Sequence, residues 1–254
     1  MTTAHQLADL ELVDTPADEP APRLRRELKF ELSAADFRKL HHVLAVNHRA
    51  VAFAGPESLV HSVYFDDPLL SSCAESIAGV GLRTKLRLRW YDAPLPGPVA
   101  FFEVKRRRHE LFEKRRFAVT AADGFAGLGY RQLVASLIPL LGGADRELLA
   151  SRRMPVALVR YRRRHYRDRR PGSPVRITVD REITVFDQLG AVGPHIRFGC
   201  LLGDRIVVEI KCPPTWEASA QELLHPLRLR RTRCSKYVLA CQRLGARTGA
   251  ALAS

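Results

Sequence analysis

At 254 residues and 46% hydrophobic content, the chain is long enough for one large domain or two small ones and can build a buried core. Its 41 basic residues against 27 acidic ones leave a net charge of +14, which calls for an anionic partner: nucleic acid, a phosphorylated small molecule or a membrane surface. Five cysteines without a CxxC pair exclude a zinc ribbon or a disulfide framework and read as reduced thiols; Met1 is not followed by a cationic start and an apolar run, and no segment approaches membrane-spanning length, so a cytoplasmic protein is the expectation.

Residues 1–22 are polar, mildly acidic and without a sustained period, which predicts a disordered tail before a single domain over residues 23–247. Arg25 to Leu32 alternates as a strand. Ser33, with Asp36 three residues on, caps a helix running to about Asn47. Leu59 to Phe65 reads as a strand, and Asp66-Asp67-Pro68 opens a short helix toward Ile77. Strands follow over Arg83–Tyr91, Val99–Arg107 and Glu113–Thr120, the first two separated by the Pro-rich turn Ala93–Pro98. Leu133, Leu137, Leu140 and Leu141 repeat at helical spacing, with Pro139 marking a break before a second helix through Leu148 and Leu149. Strands resume at Val156–Tyr166, Val175–Thr184, Ile196–Leu201 and Ile206–Lys211. Short helices are predicted at Trp216–Leu224 and Ser235–Leu244, Ser235 being the N-cap candidate of the last.

Three of these strands place a glutamate and a lysine on either side of one aliphatic residue: Glu27-Leu28-Lys29, Glu103-Val104-Lys105 and Glu209-Ile210-Lys211. Lys85-Leu86-Arg87-Leu88-Arg89 alternates in the same way with cations alone. Residues two apart on a strand share a face, so each segment has one charged and one apolar face. A single Glu-x-Lys is most simply a solvated surface pair of little energetic weight. Three copies beside Lys-Leu-Arg-Leu-Arg point instead to charged faces that look at one another across a wet cationic interior, stable only if water or an anion shares it. Only seven of the basic residues are lysine; six of them, all but Lys39, lie in or beside these segments, where a compact point charge has a use. About eight antiparallel strands with charged inner faces predict an α+β fold, an eight-stranded antiparallel β-barrel with flanking helices whose interior can hold one small ligand. Arg106, Arg108, Arg162 and Arg164 fall on the opposite faces and are expected outside. His41-His42 reads as an exposed helix pair, and Tyr64 and Trp90 are open to a core role.

In order along the chain, Arg25-Arg26-Glu27-Leu28-Lys29-Phe30, Ser62-Val63-Tyr64-Phe65-Asp66, Lys85 to Tyr91, Phe102 to Lys105, Glu113 to Phe117, Tyr161-Arg162-Arg163, Arg176 to Asp180, Val208 to Lys211 and Ser235-Lys236-Tyr237 resemble the VTC domain. That is the catalytic domain of vacuolar transporter chaperone polyphosphate polymerases, within the CYTH-like triphosphate tunnel metalloenzymes. The resemblance covers about residues 23–245 and implies that the barrel is a tunnel and the protein an ATP-dependent, metal-dependent polyphosphate polymerase. The triphosphatase and cyclase branch typically opens with E-x-E-x-K; here Arg25 stands at the first glutamate position, trading metal-binding for phosphate-binding capacity. The resembling eukaryotic proteins also carry an inositol-phosphate-sensing domain and a membrane module. Neither is read here, so regulation and translocation are not carried over.

The resemblance implies that Lys29, Arg87, Arg89, Lys105, Lys114, Arg163, Arg176 and Lys236 act on the transferred phosphate. Arg25, Lys85, Arg116, Tyr161, Lys211 and Ser235 would bind the substrate phosphates. Arginine suits bidentate contacts to phosphate oxygens and lysine supplies point charge. Glu209 is the first choice as a metal ligand, by its position in the motif and because it faces inward beside Lys211; Glu103 and Glu27 follow. Hard oxygen ligands imply Mg²⁺ or Mn²⁺. The expected partners are ATP and inorganic polyphosphate or pyrophosphate, with no specific nucleic acid, no membrane span and a membrane protein as a potential recipient of product. The alternatives are a tunnel triphosphatase acting on inorganic triphosphate or a nucleoside triphosphate, and a non-catalytic polyphosphate-binding module. An aromatic content of 7% weighs against a nucleic-acid platform.

Overall fold

The computed structural model describes residues 10–14, 26–51, 56–108, 111–121, 124, 125, 127–222 and 229–248. In chain order the elements are β1 (Leu10–Asp14), β2 (Arg26–Leu32), α1 (Ala34–Asn47), β3 (His48–Val51), β4 (Ser58–Asp66), α2 (Ser71–Ile77), β5 (Leu82–Tyr91), β6 (Val99–Arg108) and β7 (Leu111–Ala121). They continue with α3 (Tyr130–Leu140), α4 (Gly143–Ser151), β8 (Met154–Asp168), β9 (Arg176–Asp187), β10 (Cys200–Leu201), β11 (Ile206–Cys212), a 3₁₀ turn (Pro214–Trp216), α5 (Glu217–Glu222) and α6 (Lys236–Thr248).

All eleven strands belong to one antiparallel sheet in the order β1-β7-β6-β5-β4-β8-β9-β11-β2, with β10 on β9 and β3 on β8. The α+β class holds, but the sheet is not closed into the expected eight-stranded barrel. Its two outer strands, β1 and β2, are not joined. The edges that would have to meet are already in use. β7 gives its outer edge to β1, from Leu10↔Ala121 to Asp14↔Phe117. On β2, Phe30 bridges Arg231, and the Thr232 N–H donates to the Lys29 carbonyl at 2.8 Å. Within residues 1–22, read from the sequence as a tail, Leu10–Asp14 is thus a strand. The strand expected at Ile196–Leu201 is confined to Cys200–Leu201, and the helix expected at Trp216–Leu224 is a 3₁₀ turn followed by Glu217–Glu222.

The open sheet is nevertheless strongly curled, because side chains of β2 and β6 meet across its concave side: Lys105 Nζ donates to Glu27 at 3.0 Å. Alternation divides the work of the two faces. On the convex face, Leu86 and Leu88 of β5, Phe102 and Val104 of β6 and Phe117 of β7 pack under Tyr130, Leu133 and Leu137 of α3 and Leu149 of α4. Further round, Leu28, Phe30, Ile177, Val208 and Ile210 pack under Leu40 and Leu44 of α1. Ser33 caps α1 as read, its Oγ accepting the Asp36 N–H at 3.2 Å, but the expected capping box is not completed: the Asp36 carboxylate accepts from the Ser33 hydroxyl at 2.8 Å instead of from its backbone N–H.

One end of the concave face is apolar and is filled by α6, whose Tyr237, Ala240, Cys241 and Leu244 meet Val60, Val159, Tyr161, Ile183 and Val185. One irregularity permits this. The β8–β9 register shifts between Arg160 and Arg162, where Glu182 takes φ 53. The extra residue lets Asp180 and the pair Ile183 and Val185 all face inward, although strict alternation would send the pair outward. Asp66, fully buried, ties α6 to α2: it accepts the Ser72 and Cys73 N–H groups at 3.0 and 3.2 Å and the Tyr237 hydroxyl at 2.6 Å.

On the convex face α4 is anchored to β6 and β7 by Asp145. It is 1% exposed and pairs with Arg106 and Arg115 at 2.5 Å each. Arg106 therefore lies outside the concave face, as alternation predicts, but it is engaged rather than solvated. Replacing Asp145 by Ala leaves two partly exposed guanidiniums over a buried seat. The expected cost is about 2 kcal/mol, discounted from the fully buried case for that exposure. Thermal denaturation should show a melting point lower by roughly 4–8 °C; an unchanged value would mean that solvent alone satisfies Arg106 and Arg115.

Candidate functional site

The charged segments converge on the concave face in three clusters. The first surrounds Glu103, which is fully buried on β6 and flanked in register by Arg87 of β5 and Arg116 of β7. Arg87 approaches it at 2.5 Å, Lys114 at 2.8 Å, Arg116 at 3.6 Å and Arg89 at 3.8 Å. Burial alone would raise the Glu103 pKa, but Arg87, Arg89 and Lys114 outweigh it and hold it well below the carboxylate range. Arg89 is fixed from beneath: its Nε donates to Ser62 and its Nη2 to the Tyr161 hydroxyl, both at 3.1 Å. Arg87 reaches the Tyr64 hydroxyl at 3.4 Å. Tyr64 and Tyr161 are thus buried residues with hydroxyls at the site, whereas Trp90 faces the convex core.

In the second cluster β2 and β11 pair so that Glu209 lies opposite Lys29 and Lys211 opposite Glu27. The two Glu-x-Lys motifs therefore form a checkerboard. Lys29 sits 3.6 Å from Glu27 and 3.7 Å from Glu209, Lys211 sits 3.1 Å from Glu209, and Lys105 crosses the groove to Glu27. Glu27 and Glu209 are themselves within hydrogen-bonding reach of each other. Burial opposes both the charge of Glu209 and that of Lys29. Lys211 and Lys29 prevail for the carboxyl and push it down; Glu27 and Glu209 prevail for the amine and push it up. Arg176 of β9 lies opposite Lys211.

The third cluster centres on Asp180 of β9, fully buried and held by Arg163 at 2.6 and 2.8 Å and by Lys236 at 2.5 Å. Both cations lie over the Tyr161 ring, at 5.2 and 4.8 Å. Against its burial, Arg163 and Lys236 bring the Asp180 pKa down to about 2. Asp180 is a residue that sequence reasoning did not single out. Its signal was present, since it alternates with Arg176 and Thr178, but the sequence offers no sign that Lys236, 56 positions on, would reach it.

Lys85 is different from these. Its amine donates to Ser235 Oγ at 2.8 Å, and its charged neighbours are Lys29, Lys105 and Arg83. Burial, then these cations, press its pKa down to about 7. Ser235 also caps α6, accepting the Val238 N–H at 3.4 Å. Of the residues read from the sequence, the concave face brings together Glu27, Lys29, Lys85, Arg87, Arg89, Glu103, Lys105, Lys114, Arg116, Tyr161, Arg163, Arg176, Glu209, Lys211, Ser235 and Lys236. Arg25 lies outside the described residues. Arg162 and Arg164 face away and pair with Glu182 at 2.9 Å and Glu57 at 3.2 Å.

The three carboxylates read as metal ligands are not equivalent. The Glu103 carboxylate is surrounded by Arg87, Arg89, Lys114 and Arg116 and has no side open to a cation. Glu27 and Glu209 lie on one diagonal and are less enclosed than Glu103, so they are the pair that could hold a hard divalent ion, but each is already paired with two lysines. Among the described residues no group of three or more His, Cys, Asp or Glu forms a metal cage, and no helix is long and apolar enough to cross a membrane.

Residues 24–244 match the family model of the VTC domain. No curated protein matches the chain. Among solved structures, the putative adenylyl cyclase HpAC1 from Hippeastrum, described as having a dominant triphosphatase activity, is 15% identical, with a TM-score of 0.44 over 86% of this chain and 95% of that one.

The position of Lys85 has a consequence with a definite sign. Its folded pKa, about 7, lies below the 10.5 of a free lysine, so between these values the unfolded chain holds a proton that the folded one does not. The contribution of Lys85 to stability therefore rises with pH above about 7, while below it the fold carries the full cost of the charge. Triphosphate affinity should run the other way and fall as Lys85 deprotonates. Lys85→Met should flatten the rise in urea-denaturation stability across this range and weaken triphosphate binding roughly 10- to 100-fold, the worth of one charge-assisted contact. A stability profile identical to the parent chain would refute the assignment.

Proposed function

The chain belongs to the VTC domain family of triphosphate tunnel metalloenzymes, and we propose that it is a triphosphatase, binding a triphosphate on the concave face and passing the terminal phosphoryl group to water. The general chemistry of the family is phosphotransfer or hydrolysis at a triphosphate. The observation that carries the reading is Lys85: a buried amine among Lys29, Lys105 and Arg83, with a serine hydroxyl as its partner, is an arrangement that an anion relieves.

Phosphoryl transfer asks for position and charge stabilisation more than for covalent help. Arg87, Arg89 and Arg163 offer planar forks to non-bridging oxygens; Lys29, Lys105, Lys114, Lys211 and Lys236 offer point charges, and Arg116 and Arg176 flank the file. The supporting contacts from Ser62, Tyr161 and Asp180 keep these groups oriented before the anion arrives, so little reorganisation remains for the reaction. Tyr161 and Ser235 supply hydroxyls beside the phosphates. Glu27 and Glu209 would hold Mg²⁺ or Mn²⁺, which when bound neutralises charge on the phosphate oxygens. The same pair would accept hydrogen bonds from the attacking water. Its oxygen bonds to the terminal phosphorus, the bridging P–O bond breaks with its electron pair leaving on the diphosphate, and the surplus proton passes to a carboxylate or to solvent.

A second reading, polyphosphate synthesis from ATP, is favoured by the length of the cation file. Arg83, Lys85, Arg87 and Arg89 share the concave face of β5 and span roughly 20 Å at strand spacing, more than three phosphates occupy. A phosphate acceptor is already ionised and needs no base.

Incubation with γ-labelled ATP, Mn²⁺ and a pyrophosphate primer, with products resolved by length, separates the two. Labelled orthophosphate alone is expected; a ladder of long chains would establish the polymerase, and no turnover of ATP here or of inorganic triphosphate in a parallel assay would overturn both. Glu209→Gln should lower metal-dependent turnover at least about a hundredfold while leaving triphosphate binding largely in place, because the cations remain. Loss of binding in a folded variant would contradict that division of labour.

A further inference from the structure

One hydroxyl of the concave face differs from the others in the partner it meets. The Ser62 and Tyr161 hydroxyls accept from Arg89, and the Tyr64 hydroxyl accepts from Arg87. A guanidinium does not give up its proton in a protein, so these contacts offer the hydroxyls no base. Ser235 Oγ meets an amine instead, Lys85 Nζ, at 2.8 Å. The contact joins β5 to the N-terminus of α6, a helix of 13 residues that begins at Lys236. The charged and titratable groups around Lys85 are Lys29 of β2, Lys105 of β6, Arg83 of its own strand and the Cys73 thiol of α2.

We propose that Ser235 is a self-phosphorylation site: its Oγ takes the terminal phosphoryl group of a triphosphate bound in the groove, with Lys85 as the base that removes its proton. The inference rests on the phosphoryl-transfer reading of the groove and adds to it an acceptor within the chain. The Ser235 Oγ–P bond forms, and the bridging P–O bond breaks with its electron pair leaving on the diphosphate. The serine proton passes to the Lys85 amine. Three features carry the assignment. The first is position: Lys29, Lys85 and Lys105 together draw a phosphate to the place where Ser235 Oγ stands. The second is the proton acceptor. Burial, then the neighbouring cations, bring the Lys85 pKa down to about 7, so near neutrality much of the amine is uncharged. Its lone pair then accepts from the hydroxyl, as the activation of a serine nucleophile requires; an ordinary lysine would hold its proton. The third is the product. The ester lies beside an amine that has just gained its charge and at the first turn of α6, where the Val238 N–H already donates to Oγ at 3.4 Å. A helix N-terminus and an adjacent cation both favour a phosphoserine.

Incubation of the intact chain with inorganic triphosphate and Mn²⁺, followed by peptide mapping by mass spectrometry, tests this. The added mass of one phosphoryl group is expected on Ser235, as an ester that survives acid. An acid-labile adduct, which would place the group on the Lys85 nitrogen, or a phosphoryl group on any other residue overturns the assignment. At saturating triphosphate the initial rate of modification should rise with pH to a plateau. Its midpoint should lie at or above about 7, because the bound anion favours the charged amine. Lys85→Arg keeps the cation but cannot act as a base; at saturating triphosphate it should modify Ser235 at least about a hundredfold more slowly and lose the rise. Modification at the parent rate in that variant removes Lys85 from the role. Ser235→Asn, which keeps the helix cap, should carry no phosphoryl group, and Ser235→Thr should carry one at the same position. A parent chain that hydrolyses triphosphate yet stays unmodified overturns the inference and spares the triphosphatase reading; one that does neither removes both.

Discussion

The concave face of the sheet holds more positive charge than its own carboxylates can neutralise, and the other features of the molecule are arranged around that excess. Two unit charges 4 Å apart interact by about 4 kcal/mol at the effective dielectric of a protein surface. Lys29, Lys85, Arg87, Arg89, Lys105, Lys114, Arg116, Arg163, Lys211 and Lys236 crowd onto one face with Glu27, Glu103, Asp180 and Glu209. Each carboxylate is shared between at least two cations, which sets the positions of those cations without cancelling their charge. Stability has to come from elsewhere. It comes from the convex face, where α1, α3 and α4 cover apolar strand positions, and from α6, which occupies the apolar end of the concave side. The two faces of one sheet thus divide the labour of folding and of binding, an instance of a strained site maintained by a conventional core.

That division was legible wherever the strands alternate without interruption. Glu27 and Lys29, Lys85 to Arg89, Glu103 and Lys105, and Glu209 and Lys211 all project as their period of two requires, and Arg106, Arg162 and Arg164 project the other way. Closure was not legible, because it depends on which edges remain free rather than on which faces are charged. Leu10-Glu11-Leu12-Val13-Asp14 is five residues in an acidic, proline-containing stretch, too short to show a period, yet it takes the edge of β7. The segment at Arg231 and Thr232 does the same on β2. Curling then brings Lys105 to Glu27 through side chains alone. The irregularity at Glu182 was equally hidden: it reverses the facing of β9 halfway along, and only with that reversal do Asp180 and the α6-binding residues share a side.

Three copies of one tripeptide have acquired different environments, and strand pairing decides between them. Glu27-Leu28-Lys29 and Glu209-Ile210-Lys211 lie side by side and antiparallel, so each glutamate faces the other strand's lysine and the two carboxylates approach along the diagonal. Glu103-Val104-Lys105 runs instead between β5 and β7, both cationic on this face, and Glu103 is enclosed. A buried carboxylate with four cationic neighbours is a brace: removing it would set Arg87, Arg89, Lys114 and Arg116 against one another. A diagonal pair of carboxylates with lysines alongside is adjustable, because a flexible lysine stem can swing its point charge from a carboxylate onto a phosphate. The motif repeated in the sequence therefore supplies one fixed element and one exchangeable one. An anion entering between them meets guanidiniums already oriented at one end and, at the other, ammoniums released by the charge it brings.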